Sequence, residues 1–346
     1  MKKLVILCCC LLVALAVTAM SLWQWWHNPF DSQRSAVVWV GEGSSLASVA
    51  DELARRGVLH RPQLWRAIAR LQGLDGKIKR GEYEFSATMS PADLLARLVA
   101  GTVRHYSVTL PEGITLASAL QILQQQPAVN VVLDGVSDPR LTGILEPGQM
   151  AEGLFFPDTY SYIRGDSDLD ILKRAHQRMQ KVLAESWLLR AEELPYSKPY
   201  EALIMASVVE RETGVAEERR RIAGVFVRRL QKRMRLQTDP TVIYGLGPQF
   251  DGNLRRRHLA DKSNPYNTYQ HRQLPPTPIA LPGREAIEAA LHPLPGSELY
   301  FVARGDGSHQ FSDTLEQHLQ AVRQYQLQRR KDYRSSPPKL STEGDP

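Results

Sequence analysis

The sequence predicts an α+β protein with three parts: an N-terminal transmembrane helix, a small mixed α/β subdomain and a larger mixed α+β domain. The first stretch is apolar and uncharged. Short strand-like and helix-like segments then alternate, and long irregular segments separate the helices farther on. With 43% hydrophobic and 23% charged residues, the composition is that of a globular protein, which excludes collagen-like, coiled-coil and wholly disordered chains.

The N-terminal stretch predicts a membrane anchor over residues 4–23, which carry no charge. About 20 apolar residues are enough for a helix to cross the hydrocarbon core of a bilayer. Lys2 and Lys3 precede the stretch and favour a cytoplasmic N-terminus at residues 1–3, and three tryptophans follow it at the far interface. We therefore predict an uncleaved single-pass anchor followed by a linker at 24–35. The alternative is a signal peptide cleaved after Ala19.

All three cysteines lie inside the predicted anchor, so the rest of the chain has none. A disulfide framework, a thiolate metal site and a catalytic cysteine are therefore excluded there. Such a chain suits export to a bacterial periplasm, and we predict a location in the inner membrane with the larger domain in the periplasm. This location argues against nucleic acid as a partner.

The net charge of +6 is modest, and its densest basic run covers residues 219–235. On a helix this run has an apolar stripe with arginines on the other faces, so we predict a solvated helix face. An acidic polymer outside the membrane, such as a peptide-substituted cell-wall glycan, is the alternative partner for these arginines.

The small subdomain is predicted over residues 36–106. Strand patterns occur at both ends of a helical pair, in the order strand, helix, helix, strand, before a further helix and strand. Ser90 followed by Pro91 is typical of a helix start. The predicted elements are strands at 36–40, 81–85 and 106–110 and helices from 46, at 62–71 and at 92–99.

The larger domain is predicted over residues 107–330, with a disordered tail at 331–346. Its irregular segments, such as 264–283, are rich in Pro, Asn and Tyr, and we expect them to be ordered loops that face a substrate. The predicted helices are at 115–125, 168–190, 200–213, 217–235 and 316–329, and a hairpin is predicted around Asp306 and Gly307.

The most informative segment is Ala202 to Thr213, in which a nearly continuous apolar run ends in Glu210, Arg211 and Glu212. On a helix Glu210 shares a face with buried positions one and two turns earlier. Burial raises the pKa of a carboxyl, which a general acid near neutral pH requires. Glu212 is the local competitor, and an ion pair between Glu210 and an arginine is the structural alternative.

Three other blocks place polar residues among aromatics and prolines. Residues 152–162 combine Glu152 with four aromatics, residues 236–245 contain Gln237, and residues 264–269 contain Asn267, followed by a proline-rich run at 274–283. Aromatic faces beside polar groups suit sugar rings, although the first block is also compatible with an aromatic core turn. Phosphate-loop, dinucleotide, HExxH and GxSxG motifs are absent.

Six blocks in this order resemble the YceG-like family of membrane-anchored endolytic murein transglycosylases. The resemblance spans the chain from the anchor to about Arg329. The blocks are EGLFFPDTYSY, ASVVERETGVAEER, RLQTDPTVIYG, NPYNTY, LPPTPIALPG and AALHP with the later LYFVA.

The resemblance implies a lytic transglycosylase with Glu210 as its catalytic residue and a LysM-like subdomain after the anchor. It implies cleavage of the MurNAc-β-1,4-GlcNAc bond in nascent peptidoglycan, giving 1,6-anhydro-MurNAc ends. One carboxyl then acts first as acid and afterwards as base, since the substrate's C6 hydroxyl is the nucleophile. Glu152, Gln237 and Asn267 are expected to position the substrate, with no metal and no cofactor.

Two alternatives remain open. A hydrolysing muramidase would need a second carboxylate, for which Asp158 and Asp239 are candidates. A non-enzymatic protein would bind the wall through its LysM-like part. Penicillin-binding proteins and the elongation machinery are partners that only the resemblance implies.

Overall fold

The computed structural model describes residues 2–29 and 35–327. Met1, residues 30–34 of the predicted linker, the last three residues of the predicted larger domain and the predicted tail at 331–346 lie outside the described residues.

The described residues form thirteen α-helices and six strands, with a short 3-10 helix at Gly247–Gln249 and a π-helical turn at Arg323–Leu327. The helices are α1 Lys2–His27, α2 Leu46–Arg55, α3 Pro62–Leu71, α4 Pro91–Ala100, α5 Leu116–Gln124, α6 Pro139–Thr142, α7 Asp168–Leu188, α8 Pro199–Glu212, α9 Ala216–Gln231, α10 Asp239–Leu246, α11 Arg256–Ala260, α12 Arg284–Leu291 and α13 Leu315–Val322. The strands are β1 Ala36–Val40, β2 Gly81–Phe85, β3 His105–Thr109, β4 Thr159–Ile163, β5 Tyr300–Ala303 and β6 His309–Ser312. They pair as β1 with β2, β3 with β4 and β5 with β6.

Helix α1 is, among the described residues, the one helix long and apolar enough to cross a membrane. Its 26 residues correspond to about 39 Å of helix, more than the hydrocarbon core requires. The helix continues to His27, so the first residues of the predicted linker are helical. Trp26, only 8% exposed, packs into the hydrophobic core beyond the anchor.

The described chain divides into two compact units. The first comprises the residues up to Ser107 together with Pro127–Asn130 and Ser161–Asp166. The second comprises Val108–Gln126, Val131–Tyr160 and the residues from Ser167 onward.

The first unit is built on the β1–α2–α3–β2 order that the sequence predicts. Strands β1 and β2 are antiparallel, with Val38 opposite Tyr83. Ser90 caps α4 with a full capping box, in which Asp93 returns the hydrogen bond. The α2, α3 and α4 faces close one core over this sheet. Its LysM-like nature stays a prediction.

The second unit is organised around α8. Its residues Ala202–Val209 are all buried, whichever face of the helix they occupy. A helix that is apolar all round must be enclosed by other elements, and α7, α9, α10 and α12 pack against it. The enclosed helix ends at Glu212. Its last turn therefore places Glu210, Arg211 and Glu212 at the edge of the core.

The basic run on α9 differs from the predicted solvated face. Arg220 Nε donates to the carbonyl of His292, Arg228 pairs with Glu298, and Arg229, only 7% exposed, donates to the carbonyls of Leu299 and Leu236. These arginines hold the segment that leads into β5. Guanidinium groups serve this role well because they offer five donors to carbonyl oxygens that would otherwise be unpaired. The prediction of a solvated face was therefore wrong for Arg228 and Arg229, whereas Arg220 is exposed as predicted.

Candidate active site

Glu210 lies in the last turn of α8, where the buried helix emerges. Its carboxyl is partly buried, and Oε2 accepts a hydrogen bond of 3.0 Å from the backbone N–H of Gly283. Gly283 is the residue at the N-terminal cap of α12. The side chain is therefore held from its own helix and from the start of a neighbouring one.

Four further charged residues lie near Glu210. Glu112 belongs to the loop before α5 and lies over Gly283, where a Cβ on that glycine would overlap its carboxylate. Arg219 on α9 pairs with Glu285 in the first turn of α12. Arg211 donates to the carbonyl of Gly113 at 2.9 Å, which fixes the Glu112 loop to the end of α8.

The pKa of Glu210 is raised above its ordinary value. Burial is the largest cause, and the negative charges of Glu112 and Glu285 act in the same direction. The Gly283 N–H and the positive charge of Arg219 oppose the rise. The guanidinium Nε of Arg219 is buried and makes no hydrogen bond within the described residues. The net effect is a carboxyl that keeps its proton to a higher pH than an exposed glutamate does.

Glu212 has a different environment on the same helix. Its Oε1 accepts a hydrogen bond from the hydroxyl of Thr238. Burial raises the pKa of Glu212 to about 7, and the nearby charge of Asp239 adds to the rise. By the direction of its pKa shift alone, Glu212 is therefore also a candidate for the general acid. The Glu212 carboxyl, however, is engaged in a hydrogen bond with the hydroxyl of the buried Thr238.

Glu152 caps a helix. Its Oε1 accepts from the N–H of Leu116 at the start of α5 at 2.9 Å, and its Oε2 accepts from the hydroxyl of Tyr244 at 3.2 Å. Burial raises the pKa of this carboxyl as well. A carboxylate at a helix N-terminus satisfies an otherwise unpaired N–H, so these contacts give Glu152 a structural task.

Gln237 and Asn267 differ in the exposure of their side chains. Gln237 is exposed in a left-handed backbone conformation, φ 53°, and its N–H donates to the carbonyl of Thr268. Asn267 is 0% exposed. Its amide nitrogen donates to the carbonyls of His258, Leu259 and Asp261, and its oxygen accepts from the N–H of Tyr269. Asn267 therefore organises its loop, while the Gln237 side chain is the more accessible one.

The sequence blocks meet around α8. Ser207 Oγ accepts from the N–H of Ile279, which joins α8 to the proline-rich run. A Cβ on Gly153 would overlap Pro278 of the same run, so the Glu152 block passes it closely.

The blocks at 236–245 and 264–269 are also in contact with each other. The N–H of Thr238 donates to the hydroxyl of Thr268 at 3.0 Å. Thr238 in turn donates to Glu212 on α8. The blocks are therefore connected through buried hydrogen bonds and through close packing of their backbones.

The candidate second carboxylates of a hydrolase are engaged with other partners. Asp158 pairs with Arg178 at 2.6 Å, and Asp239 accepts from the hydroxyl of Tyr269 at 2.7 Å. The carboxylates whose charges act on Glu210 are instead Glu112 and Glu285. Within residues 2–29 and 35–327, no group of three His, Cys, Asp or Glu side chains is arranged to hold a metal ion.

The sequence patterns did not indicate that Glu112, Arg219, Gly283 and Glu285 lie around Glu210. Glu112 lies 98 positions before Glu210 in the sequence, and no periodicity links residues so far apart. The one local sign is the Glu112-Gly113 pair before a helix start. Gly113 has a positive φ of 76°, which marks a tight turn that presents the preceding side chain.

Comparisons with known proteins agree on one family. The sequence model of the YceG-like family matches residues 38–324. A protein of Bacillus subtilis (strain 168) named endolytic murein transglycosylase is 29% identical over 313 residues, which cover 85% of this chain and 86% of the relative.

Two further relatives extend this comparison. A protein of the same name from Streptococcus pneumoniae serotype 2 (strain D39 / NCTC 7466) is 27% identical, with 86% of this chain and 60% of the relative covered. The crystal structure at 2.6 Å of a YceG-like protein from Listeria monocytogenes has a TM-score of 0.52 and 26% identity, and the match covers 84% of this chain and 99% of that one.

Proposed function

The chain belongs to the YceG-like family, and from this premise we propose that it is a membrane-anchored endolytic murein transglycosylase whose general acid is Glu210. Its relatives from two organisms are named for that activity. The observation that carries the assignment is the partly buried carboxyl of Glu210, which leaves the core on the last turn of α8 and is held by the Gly283 N–H.

The reaction needs one proton at the right oxygen. Protonated Glu210 gives its proton to the GlcNAc O4 atom as the bond from that oxygen to MurNAc C1 breaks. The C6 hydroxyl of the same MurNAc attacks C1, and the Glu210 carboxylate takes the hydroxyl proton. The products are a free GlcNAc end and a 1,6-anhydro-MurNAc end, and Glu210 is protonated again with no water consumed.

The environment of Glu210 supports its role as the acid. A general acid works best when its pKa lies near the working pH, and burial together with two neighbouring carboxylates moves the pKa of Glu210 upward. The opposing Gly283 N–H would stabilise the carboxylate that forms after proton transfer. The site therefore supports both the protonated and the ionised state that the cycle requires.

The exposure of Gln237, Asn267 and Glu152 indicates how each of them would help to position the substrate. Gln237 can reach a glycan with its exposed amide. Asn267 and Glu152 act on the site through the loop and the helix that they hold. We place the anchor in the bacterial inner membrane, with the N-terminus in the cytoplasm and the catalytic unit in the periplasm. Nascent glycan would then emerge within reach of the enzyme.

The test uses two matched substitutions on α8. We expect Glu210→Gln to abolish the release of anhydro-ended fragments from glycan strands while the protein stays folded, because an amide has no acidic proton to give. Glu212→Gln keeps an oxygen that can accept from Thr238, and we expect it to retain the larger part of the activity. Loss of activity in Glu212→Gln with retention in Glu210→Gln would reverse the assignment.

A hydrolase is the second candidate, favoured by the two carboxylates beside Glu210. A second carboxylate could activate a water molecule. The products would then carry one more water than an anhydro end does. A wall-binding protein without activity would bind sacculi and never shorten their strands.

A further inference from the structure

The arrangement of Glu112, Gly283 and Glu210 is not explained by a single-acid mechanism. The three residues come from separate parts of the chain: the loop before α5, the start of α12 and the end of α8. The Glu210 carboxyl accepts from the N–H of Gly283, and the Glu112 side chain occupies the space where a Cβ of that same residue would stand. Two carboxyl groups thus flank one glycine.

The glycine is not required by its backbone. Gly283 has φ −76° and ψ 174°, an extended conformation that any residue adopts. What an alanine would meet there is the side chain of Glu112. The missing side chain therefore makes room for Glu112.

The Glu112 loop is also held in place. The Gly113 N–H donates to the carbonyl of Leu281 at 2.8 Å, and the Leu281 N–H donates to the carbonyl of Ile114 at 2.8 Å. Arg211, adjacent to Glu210, donates to the Gly113 carbonyl. Three hydrogen bonds therefore fix the loop against both segments that hold Glu210.

We propose that Glu112 is a positioning residue of the active site, which acts on turnover through Glu210 and depends on the absence of a side chain at Gly283. This rests on the proposed function of Glu210. Glu112 itself is exposed and does not transfer the proton.

The effect is electrostatic and its sign is defined. The charged groups that act on Glu210 are Glu112 before α5, Arg219 on α9 and Glu285 on α12. The negative charge of Glu112 raises the pKa of Glu210, so it favours the protonated acid. Removal of that charge lowers the pKa, and the alkaline limit of activity moves to lower pH.

The experiment measures kcat/KM against pH for the full-length protein on uncrosslinked glycan strands. We expect Glu112→Gln to lose about 3- to 10-fold more activity at pH 8 than at pH 5 relative to wild type. Glu288→Gln removes an exposed charge on the same α12 and is expected to leave the profile unchanged. An unchanged alkaline limit in Glu112→Gln overturns the proposal.

A double-mutant comparison tests the role of the glycine. Gly283→Ala should displace Glu112 and reproduce the pH profile of Glu112→Gln. In a Glu112→Ala background the same Gly283→Ala change should cause no further loss, because nothing is left to displace. Gly135→Ala is the control, since a Cβ there meets no neighbour. An equal further loss in both backgrounds contradicts the proposal.

A direct titration separates this inference from the proposed function. The infrared carbonyl band of protonated Glu210, obtained as wild type minus Glu210→Gln, reports its pKa without any turnover. We expect the midpoint to fall in the Glu112→Gln background. An unshifted midpoint in an active enzyme refutes the role of Glu112, whereas a shifted midpoint in a protein that does not cleave glycan refutes only the proposed function.

Discussion

Glu210 and Glu212 are two residues apart on α8, so their side chains leave the helix about 160° apart. One meets Gly283 and the Glu112 loop, and the other meets Thr238. The raised pKa that both share comes mainly from burial. A perturbed pKa therefore identifies this part of the helix but does not select between the two residues, and their partners are the better guide.

The raised pKa of Glu212 predicts a pH dependence of stability. The folded protein holds this proton up to about pH 7, whereas an ordinary glutamate releases it near 4.5. The stabilisation by protonated Glu212 is then complete below pH 4.5 and is lost as the pH rises through 7. We expect Glu212→Gln to be more stable than wild type at pH 8 by on the order of 1–3 kcal/mol, and about equal at pH 4.5.

Thermal unfolding of both proteins in detergent at pH 4.5 and pH 8 measures this difference. Glu288→Gln is the matched control, because its carboxylate is exposed. An equal stability difference at both pH values would show that the Glu212 proton does not contribute.

At the scale of elements, α8 and the proline-rich run at 274–283 depend on each other. Ser207 is 0% exposed, and its hydroxyl donates to the Ile204 carbonyl and accepts from the Ile279 N–H. This hydroxyl fixes the run that ends in Gly283, the partner of Glu210. The buried Ser207 hydroxyl therefore helps to hold Gly283 in place beside Glu210, one turn farther along α8.

We expect Ser207→Ala to destabilise the protein by about 1–3 kcal/mol, because the buried N–H of Ile279 loses its acceptor. The run should loosen, so kcat should fall more than KM rises. Chemical unfolding and steady-state kinetics measure the two effects. Ser207→Cys, which retains a weak acceptor, should fall between alanine and wild type. A Ser207→Ala protein with unchanged stability and kcat would contradict this coupling.

Sequence patterns predicted the local elements well and the long-range contacts poorly. The strands at 36–40 and 81–85 and the helix at 62–71 have the predicted bounds, because periodicity and caps are local signals. The buried run on α8 was also readable. The pairing of β3 with β4 and the helix α12 were not predicted. The contact of Glu112 with Gly283 was missed because it depends on how distant segments fold together.

The arginines of α9 show the same limit. The pattern predicted a helix at 217–235; the structure confirms the helix over Ala216–Gln231 but ends it four residues earlier than predicted. Their partners include backbone carbonyls near residues 292–299 as well as the Glu285 and Glu298 carboxylates, and no local sequence pattern marks partners so distant. From one sequence, arginines on a solvated helix face cannot be distinguished from arginines that bind other segments of the same protein.

At the scale of the whole molecule, α1 is long and apolar enough to anchor the chain in a membrane. Trp26 at its end packs into the hydrophobic core of the first unit. We expect the full chain to resist carbonate extraction from membranes at its full uncleaved mass. A variant that lacks residues 4–23 but keeps Trp25 and Trp26 should be extracted and should still cleave isolated strands. Cleavage near Ala19, detected as a shorter mature mass, would contradict the anchor.

The mass of the fragments that the full-length enzyme releases from uncrosslinked glycan strands tests the catalytic role of Glu210 most directly. If Glu210 is the general acid, internal cleavage by wild type yields 1,6-anhydro-MurNAc ends, one water lighter than hydrolysed ends, and Glu210→Gln yields none. Fragments that carry the added water, or anhydro ends that persist in Glu210→Gln, would contradict this expectation.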